Sequence, residues 1–587
     1  MSISASISAA SRQARVAIIG AGPSGLAMAS ELLHLAPGLT PVLFERRPKV
    51  GGVWTYDPSP GTCDFRFDRR GRAHPVWAGR GKDGDADGTF CPPGPMYDGL
   101  RTNLPCDLMA YRDAPFDPST PLFPQRREVE EYIDRFAEAK RLLPLIRFET
   151  AVTSVQRVKH QAGQPWGRGS VWRVRSRPIH GGDLVTEEFD YIVSASGRCN
   201  MPSVPYIDGL WHFRGQLLHS AWYRQPHAFR GKKVLVIGNS SSGSDIAREL
   251  VGHVVRSFDG SQQWIEQANA QPPQTGVTVL QSYEDVQKPP PLDFDPRDQD
   301  SPAWAKRIRV VPKIQRVEPA EDGKDNGRIV LEDGQVLDDV DAIVFGTGYA
   351  YDLPYLSQEQ EPFASAPLIP PPPPASTPAP ASLQTYLSEH QSGKAYDPPF
   401  RTAPFLTNLD DWSLFYQADP SFALLGAPIR IVPLPFTNAQ SRIVAAFWAG
   451  LLAHRFQYGL PRLNPDIPTT EPDHWRRWLD DTVPPYTEQK EECGGRKNKT
   501  SDLGYPGDTA YQDGLSDLLP AELRTRGQDE DRAVEAFSGV DGPVEAARAE
   551  DEMVPTQATD EGWRKVATFR NQRRQTTKRL RRQLLGY

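Results

Sequence analysis

The sequence predicts an α/β fold built from two nested Rossmann-like dinucleotide-binding domains. The first observation is an internal repeat: RVAIIGAGPSGLAMASEL (Arg15–Leu32) and KVLVIGNSSSGSDIAREL (Lys233–Leu250) align without a gap. Val16/Val234, Ile19/Ile237, Gly20/Gly238, Ser24/Ser242, Gly25/Gly243, Ala29/Ala247 and Glu31/Glu249 are matched pairs. Each copy reads as a buried apolar strand, a tight glycine turn and a helix. The second observation is a pair of short apolar runs, Asp190–Ser194 and Asp341–Phe345, with the pattern of buried parallel strands. They end in the small-residue turns Ala195-Ser196-Gly197 and Gly346-Thr347-Gly348, which return the chain from one domain to another. A domain at 205–339 is therefore expected inside a discontinuous domain formed by 1–204 and 340–587.

The third observation is Glu45, which closes a second strand, Val42–Phe44, twenty residues beyond Gly25. Three glycines alone say little; glycines between a strand and a helix, followed by that acid, say much more. Gly20 permits the sharp turn, Gly22 lets the backbone approach a pyrophosphate, and Gly25 lets the helix pack on the strand. Pro23 and Ser24 fall in the first helical turn, whose N–H groups face the phosphates. Glu45 accepts hydrogen bonds from ribose hydroxyls and repels a 2′-phosphate, so the first ligand is FAD or NAD rather than NADP. In the second copy Gly238, Ser242 and Gly243 are kept, Ser240 replaces the middle glycine, and Asp245 follows on the helix. The next strand, expected near His253–Phe258, offers Arg256 to a 2′-phosphate. Asp259 nearby argues for NAD, and NADP is the favoured second ligand.

Composition narrows the class. At 587 residues the chain holds several domain-sized units. A formal net charge of −7 speaks against a nucleic-acid coat. Five scattered cysteines, without a C-x-x-C pair, give no disulfide framework, zinc site or redox dithiol and point to a reducing compartment. The N-terminus lacks an apolar signal core, and the run Ile443–Ala453 is too short to span a bilayer, so a cytoplasmic location is expected. A proline-rich stretch (365–382) and an acidic, polar one (521–561) read as insertions. From Gly562 onward the chain is basic and carries no acid. Trp563, Val566, Leu580 and Leu584 fit one helical stripe, so a terminal helix packed on an acidic body is expected over a membrane or nucleic-acid tail.

The chain resembles the flavin-containing monooxygenase family, in particular its fungal branch, over roughly Arg15–Tyr355 and again at Asp419–Leu452. After GAGPSG come ERRPKVGGVW (Glu45–Trp54), LRTNLP (Leu100–Pro105), ASGRCNMPSVP (Ala195–Pro205), FRGQLLHSAWYR (Phe213–Arg224) and FGTGY (Phe345–Tyr349). In the fourth of these, Phe213, Gly215, His219 and Tyr223 match the family pattern. Arg224 stands where the family has Lys or Pro, keeping the lysine's charge. The Baeyer–Villiger branch has Trp at the Tyr223 position.

The resemblance implies the FAD/NADP disulfide-reductase-like architecture, FAD and NADP(H) as cofactors, and dioxygen and a small molecule as substrates. NADPH reduces the flavin, oxygen is captured as a hydroperoxide on its 4a carbon, and a soft sulfur or nitrogen nucleophile takes the distal oxygen. The cofactor carries this chemistry, and no Ser-His-Asp or metal cluster is needed. Asn103 matches the family's active-site Asn, flanked by Thr102 and Leu104. Gly52, Val53 and Trp54 match the loop over the flavin, and Gly348 lies in the last motif. His219 is expected to be a linker residue rather than a base. A Baeyer–Villiger enzyme acting on a ketone, or an NADPH oxidase or disulfide-reductase-like flavoenzyme, are the alternative readings.

Overall fold

The computed structural model describes residues 13–78, 90–159, 170–254, 276–320, 326–371, 380–399, 401–410, 412–452, 503–520, 523 and 566–587. The first stretch of chain supplies β1 (Ala14–Ile19), α1 (Pro23–Leu35), β2 (Leu39–Phe44), β3 (Ile146–Arg147) and β4 (Tyr191–Ser194). The middle supplies β5 (Gln216–His219), β6 (Lys233–Ile237), α2 (Ser241–Leu250), β7 (Thr278–Ser282), β8 (Ile308–Val311) and β9 (Ala342–Phe345). Then come β10 (Tyr349–Asp352), β11 (Phe422–Leu424), α3 (Pro433–Trp448) and α4 (Thr568–Leu585).

Two five-stranded parallel sheets organise the molecule, in the orders β11-β4-β1-β2-β3 and β5-β9-β6-β7-β8. Parallel strands are covered on both faces, and β4, β9 and most of β1 are accordingly buried at every position. In the first sheet Ile19 pairs with Phe44; in the second Ile237 pairs with Ser282, so the repeat extends to register. The strand β9 lies between β5 and β6, beyond the expected boundary at residue 339.

The first sheet is closed by distant chain. Strand β11 adds beside β4, and α3 packs on α1. The buried carboxylate of Glu31 on α1, 5% exposed, accepts hydrogen bonds from Asn438 Nδ2 at 2.7 Å and Arg442 Nε at 3.2 Å. The two connections between the sheets run side by side, Met201–Pro202 pairing antiparallel with β10. Short antiparallel sheets, such as Thr150–Lys159 with Ser170–Pro178 and Val185–Phe189, complete the fold.

The basic terminal segment is a helix packed on the body. Arg570 on α4 donates to the carbonyls of Asp107, Leu108 and Ala110, at 2.8 to 3.2 Å. Arg573 Nε pairs with Asp107 at 2.7 Å. Further along, Leu580, Leu585 and Tyr587 enter the core of the second sheet. There Arg581 pairs with Asp293 at 3.2 Å, and Trp304 Nε1 donates to the Gly586 carbonyl at 3.0 Å. The helix thus joins elements beside both sheets; Trp563 and almost all of 521–561 lie outside the described residues. Of the proline-rich stretch, 372–379 lie outside as well. No described helix is long and apolar enough to cross a membrane.

Two buried histidines make stability depend on pH. Burial pushes His219 down to about 4, and burial with the Arg248 charge pushes His253 down to about 3. Both are neutral in the fold but protonate in the unfolded chain near 6.5. The unfolded state therefore binds more protons as pH falls, and stability present above about 6.5 is lost towards pH 4. We expect the urea midpoint to drop between pH 7.5 and 5, with each histidine contributing up to ~1.4 kcal/mol per pH unit. His253→Phe should flatten that slope; an unchanged slope would exclude His253 as a source.

Candidate functional site

The first glycine loop opens onto a cavity of about 350 Å³. Gly20, Gly22, Pro23 and Ser24 line it on one side, Glu45 at the end of β2, and Gly52, Val53 and Trp54 in the following turn. Gly20 has φ +105°, and a Cβ there would sit 2.5 Å from the Ala195 carbonyl oxygen. A Cβ on Gly25 would sit 2.0 Å from the Gly20 carbonyl oxygen, so the helix packs on the turn only because that atom is missing. The Gly22 α-carbon faces the Gly52 backbone, which makes the glycine a packing contact as well as an opening towards a ligand.

Helix α1 starts at the cavity with Gly22 as N-cap and no side-chain cap, leaving its first N–H groups free for an anion. The Glu45 carboxylate is buried and fixed: Oε2 accepts from the Ala21 N–H at 2.7 Å and Oε1 from the Arg47 N–H at 2.9 Å. A fixed carboxylate keeps lone pairs for two ribose hydroxyls. From the late part of the chain, Arg430, Pro433 and Thr437 close the opposite wall. Uncapped helix N–H groups and a set carboxylate fit a dinucleotide whose ribose carries no 2′-phosphate.

The second glycine loop repeats the packing. A Cβ on Gly243 would lie 2.1 Å from the Gly238 carbonyl oxygen. Ser240 is the N-cap of α2 and is exposed; Ser242 is half-buried. Asn103, implied to be at the reacting centre, donates from Nδ2 to Ser241 Oγ at 3.3 Å. That contact brings an element of the first unit onto the loop of the second. Thr102 is buried, its N–H donating to the Pro124 carbonyl, and Leu104 is core. Neither lines the first cavity, nor does Gly348, whose carbonyl accepts from the Ser203 N–H at 2.9 Å.

Asp245 is placed differently from expectation. Its carboxylate accepts from the Tyr97 hydroxyl and pairs with Arg248 at 2.7 Å, because this face of α2 packs on the loop around residue 97. Arg256 and Asp259 lie outside the described residues. The strand that pairs with β6 is β7, so Tyr283, immediately after it, holds the place that Glu45 holds in the first unit.

The Phe213–Arg224 motif is structural. His219 bonds the Gly348 carbonyl at 3.0 Å through Nε2 and accepts from the Ala221 N–H through Nδ1, which occupies both ring nitrogens. The Tyr223 hydroxyl donates to Glu249 at 2.7 Å. The Arg224 guanidinium donates to the carbonyls of Asp57 at 2.6 Å and Gly94 at 2.8 Å. It thereby clamps the second unit to the Pro92–Pro95 segment that walls the cavity. Arg46 lies within the Glu45–Trp54 motif, and no motif in the sequence marked Thr150, Asp352 or Tyr355, which also line the cavity.

Two glycine-loop sheets joined by paired crossovers, with a ribose-type carboxylate in one, define a scaffold of two dinucleotide-binding units. Residues 86–265 match the flavin-binding monooxygenase-like family, and residues 18–80 match the NAD(P)-binding Rossmann-like domain. The chain spans about three fifths of the length of the first of the curated relatives it matches. It is 31% identical over 349 residues to flavin-containing monooxygenase FMO GS-OX3 of Arabidopsis thaliana, covering 58% of this chain and 61% of that protein. The thiol-specific monooxygenase of Saccharomyces cerevisiae is 25% identical over 439 residues, 73% of this chain and 76% of the yeast protein. The senecionine N-oxygenase of Tyria jacobaeae is 33% identical over 248 residues, 42% of this chain and 47% of that protein. Among solved structures, S-allyl-L-cysteine S-oxygenase from Allium sativum shares the fold, with TM-score 0.56 and 21% identity over 92% of this chain and 98% of that one. Among the described residues no three acidic, His or Cys side chains form a metal-type cluster.

Proposed function

We propose that this chain is an FAD- and NADPH-dependent monooxygenase that places one atom of dioxygen on a soft sulfur or nitrogen nucleophile. The observation that carries the proposal is the juxtaposition of Asn103, from the first unit, with Ser241 in the second glycine loop. Hydride transfer requires the two nucleotides to meet where the two units meet. The first unit, up to about 204 and again from about 346, holds FAD, and the inserted unit holds NADP(H).

Bound FAD supplies hydride acceptance and oxygen activation. The residues do the rest. Glu45 holds the ribose, the α1 N-terminus the pyrophosphate, and Gly52–Trp54 the wall. Asn103 orients what lies between the two loops, since its amide both donates and accepts. The Arg224 clamp keeps the 92–95 segment closed and the site dry, which suppresses loss of oxygen as hydrogen peroxide. The names of the yeast and Tyria relatives support sulfur and nitrogen as acceptor classes.

NADPH consumption screened over thiols, thioethers, tertiary amines and cyclic ketones, with products identified, tests the proposal. Oxides of sulfur or nitrogen are expected; lactone as the principal product would replace it with Baeyer–Villiger chemistry. Asn103→Ala should retain FAD but lower product formed per NADPH by about 100-fold, the scale of a lost positioning contact, with peroxide rising in step. Unchanged coupling would remove Asn103 from the site.

A further inference from the structure

We propose that Asp352 reads the purine base of the dinucleotide held at the first glycine loop, as an uncharged carboxylic acid. This rests on the FAD reading of that cavity.

Asp352 ends β10 and lines the cavity. It is 7% exposed, and its Oδ1 has no hydrogen-bond partner. A buried carboxyl oxygen without a partner is costly, and facing a cavity it marks a missing ligand group. Its neighbours locate it along the ligand. Arg46 directly follows Glu45 and pulls on the Asp352 charge, and Tyr355 is close enough to feel both. The Thr150 N–H donates to the Glu45 carbonyl at 2.8 Å, and Val152 and Thr153 continue the lining from there. The compartment bounded by Arg46, Val152, Thr153, Asp352 and Tyr355 thus lies beyond the ribose carboxylate. In a dinucleotide the base lies beyond the ribose. Val152 and Tyr355 offer apolar surface to a flat ring.

The chemistry of the group fits that base. An adenine edge presents an amino donor beside a ring-nitrogen acceptor. A neutral carboxyl presents a carbonyl acceptor beside an O–H donor at matching spacing. An ionised carboxylate would lack the donor. Burial pushes Asp352 up to about 6 even against the opposing pull of Arg46, so the uncharged form is already accessible near neutrality. Arg46 and Tyr355 are the charged and titratable groups facing it, and Tyr355 is held neutral, pushed up to about 12 by burial. Pairing with the base raises the carboxyl further in the complex. Affinity is therefore full below about pH 6 and falls as pH rises through the bound-state value.

The test is FAD titration, by flavin fluorescence, into the full-length protein freed of flavin, from pH 5.5 to 8.5, with ADP as competitor. For the unsubstituted protein, Kd is expected to rise with pH by up to tenfold per unit. Asp352→Asn, whose amide also donates and accepts, should bind near the low-pH affinity with a flat profile. Asp352→Leu should weaken FAD and ADP alike by about tenfold or more at pH 6. Wild-type affinity in the Leu variant, or a wild-type profile as flat as that of the Asn variant, would overturn the assignment while leaving the flavin reading intact. Failure of the unsubstituted protein to bind FAD at any pH would overturn both.

Discussion

Gly25→Ala is expected to abolish FAD binding and to destabilise the protein by about 3 kcal/mol or more. The added methyl would meet the Gly20 carbonyl oxygen at 2.0 Å. The obstacle is backbone within the same turn, so no side-chain rotation relieves it, and α1 must move off β1. That movement withdraws the helix N-terminus from the cavity and breaks the alignment of Ala21 with Glu45. The measurement is flavin content together with a thermal melt, with Ser30→Ala, on the same helix but outside the cavity lining, as a control expected to stay near wild type. The repeat supplies a second control. Gly243→Ala, with its clash at 2.1 Å from the Gly238 carbonyl, should impair NADPH use while the protein keeps its FAD. A Gly25→Ala protein that is yellow and melts normally would refute the close packing described.

Arg573→Ala is expected to cost about 3–5 kcal/mol, the scale for removing one partner of a buried pair. Its Nε lies 2.7 Å from Asp107, whose side chain is only 1% exposed. Truncation leaves that carboxylate inside the protein with its charge uncompensated. Arg570, one turn away, still donates to the carbonyls at the end of Cys106–Met109, so the loss reports the Arg573–Asp107 pair. Urea unfolding measures the loss. Asp107→Asn in the Arg573→Ala background should recover part of it, because the uncompensated charge is then gone. A loss below about 1 kcal/mol would mean that the pair acts like an exposed one.

What was legible in the sequence follows from the range of the interactions. The glycine loops were readable because strand, turn and helix pack within a few residues of each other, and the register of Ile19 with Phe44 recurs at Ile237 with Ser282. The basic tail was readable as a packed helix, although of its expected stripe Val566 precedes the helix and only Leu580 and Leu584 lie on it, and Leu585 and Tyr587 join them at the core. The second strand of the inserted unit was not readable. Gly25 to Glu45 spans 20 positions, whereas Gly243 to Tyr283 spans 40, so a strand expected near His253–Phe258 was sought too early in the chain. Asp245 was assigned by its place after a glycine loop, but side-chain direction on a helix is set by what packs there, here Tyr97 and Arg248. Arg224 and Asp352 act on groups far away in the chain. Arg224 reaches back 130 positions to Gly94, and nothing in their local sequence encodes such partners. The motif from Phe213 to Arg224 lies within the stretch that matches the flavin-binding monooxygenase-like family model, and its residues hold the units together.

The central claim is that one oxygen atom of dioxygen reaches a sulfur or nitrogen acceptor at the expense of one NADPH. Turnover under ¹⁸O₂ with a thioether and a tertiary amine, followed by mass spectrometry of the product and a peroxide assay, tests it most directly. The proposed chemistry requires one labelled oxygen per product molecule, NADPH consumed in equal amount, and little free peroxide. Unlabelled product, or NADPH consumption recovered entirely as hydrogen peroxide with every acceptor, would contradict it.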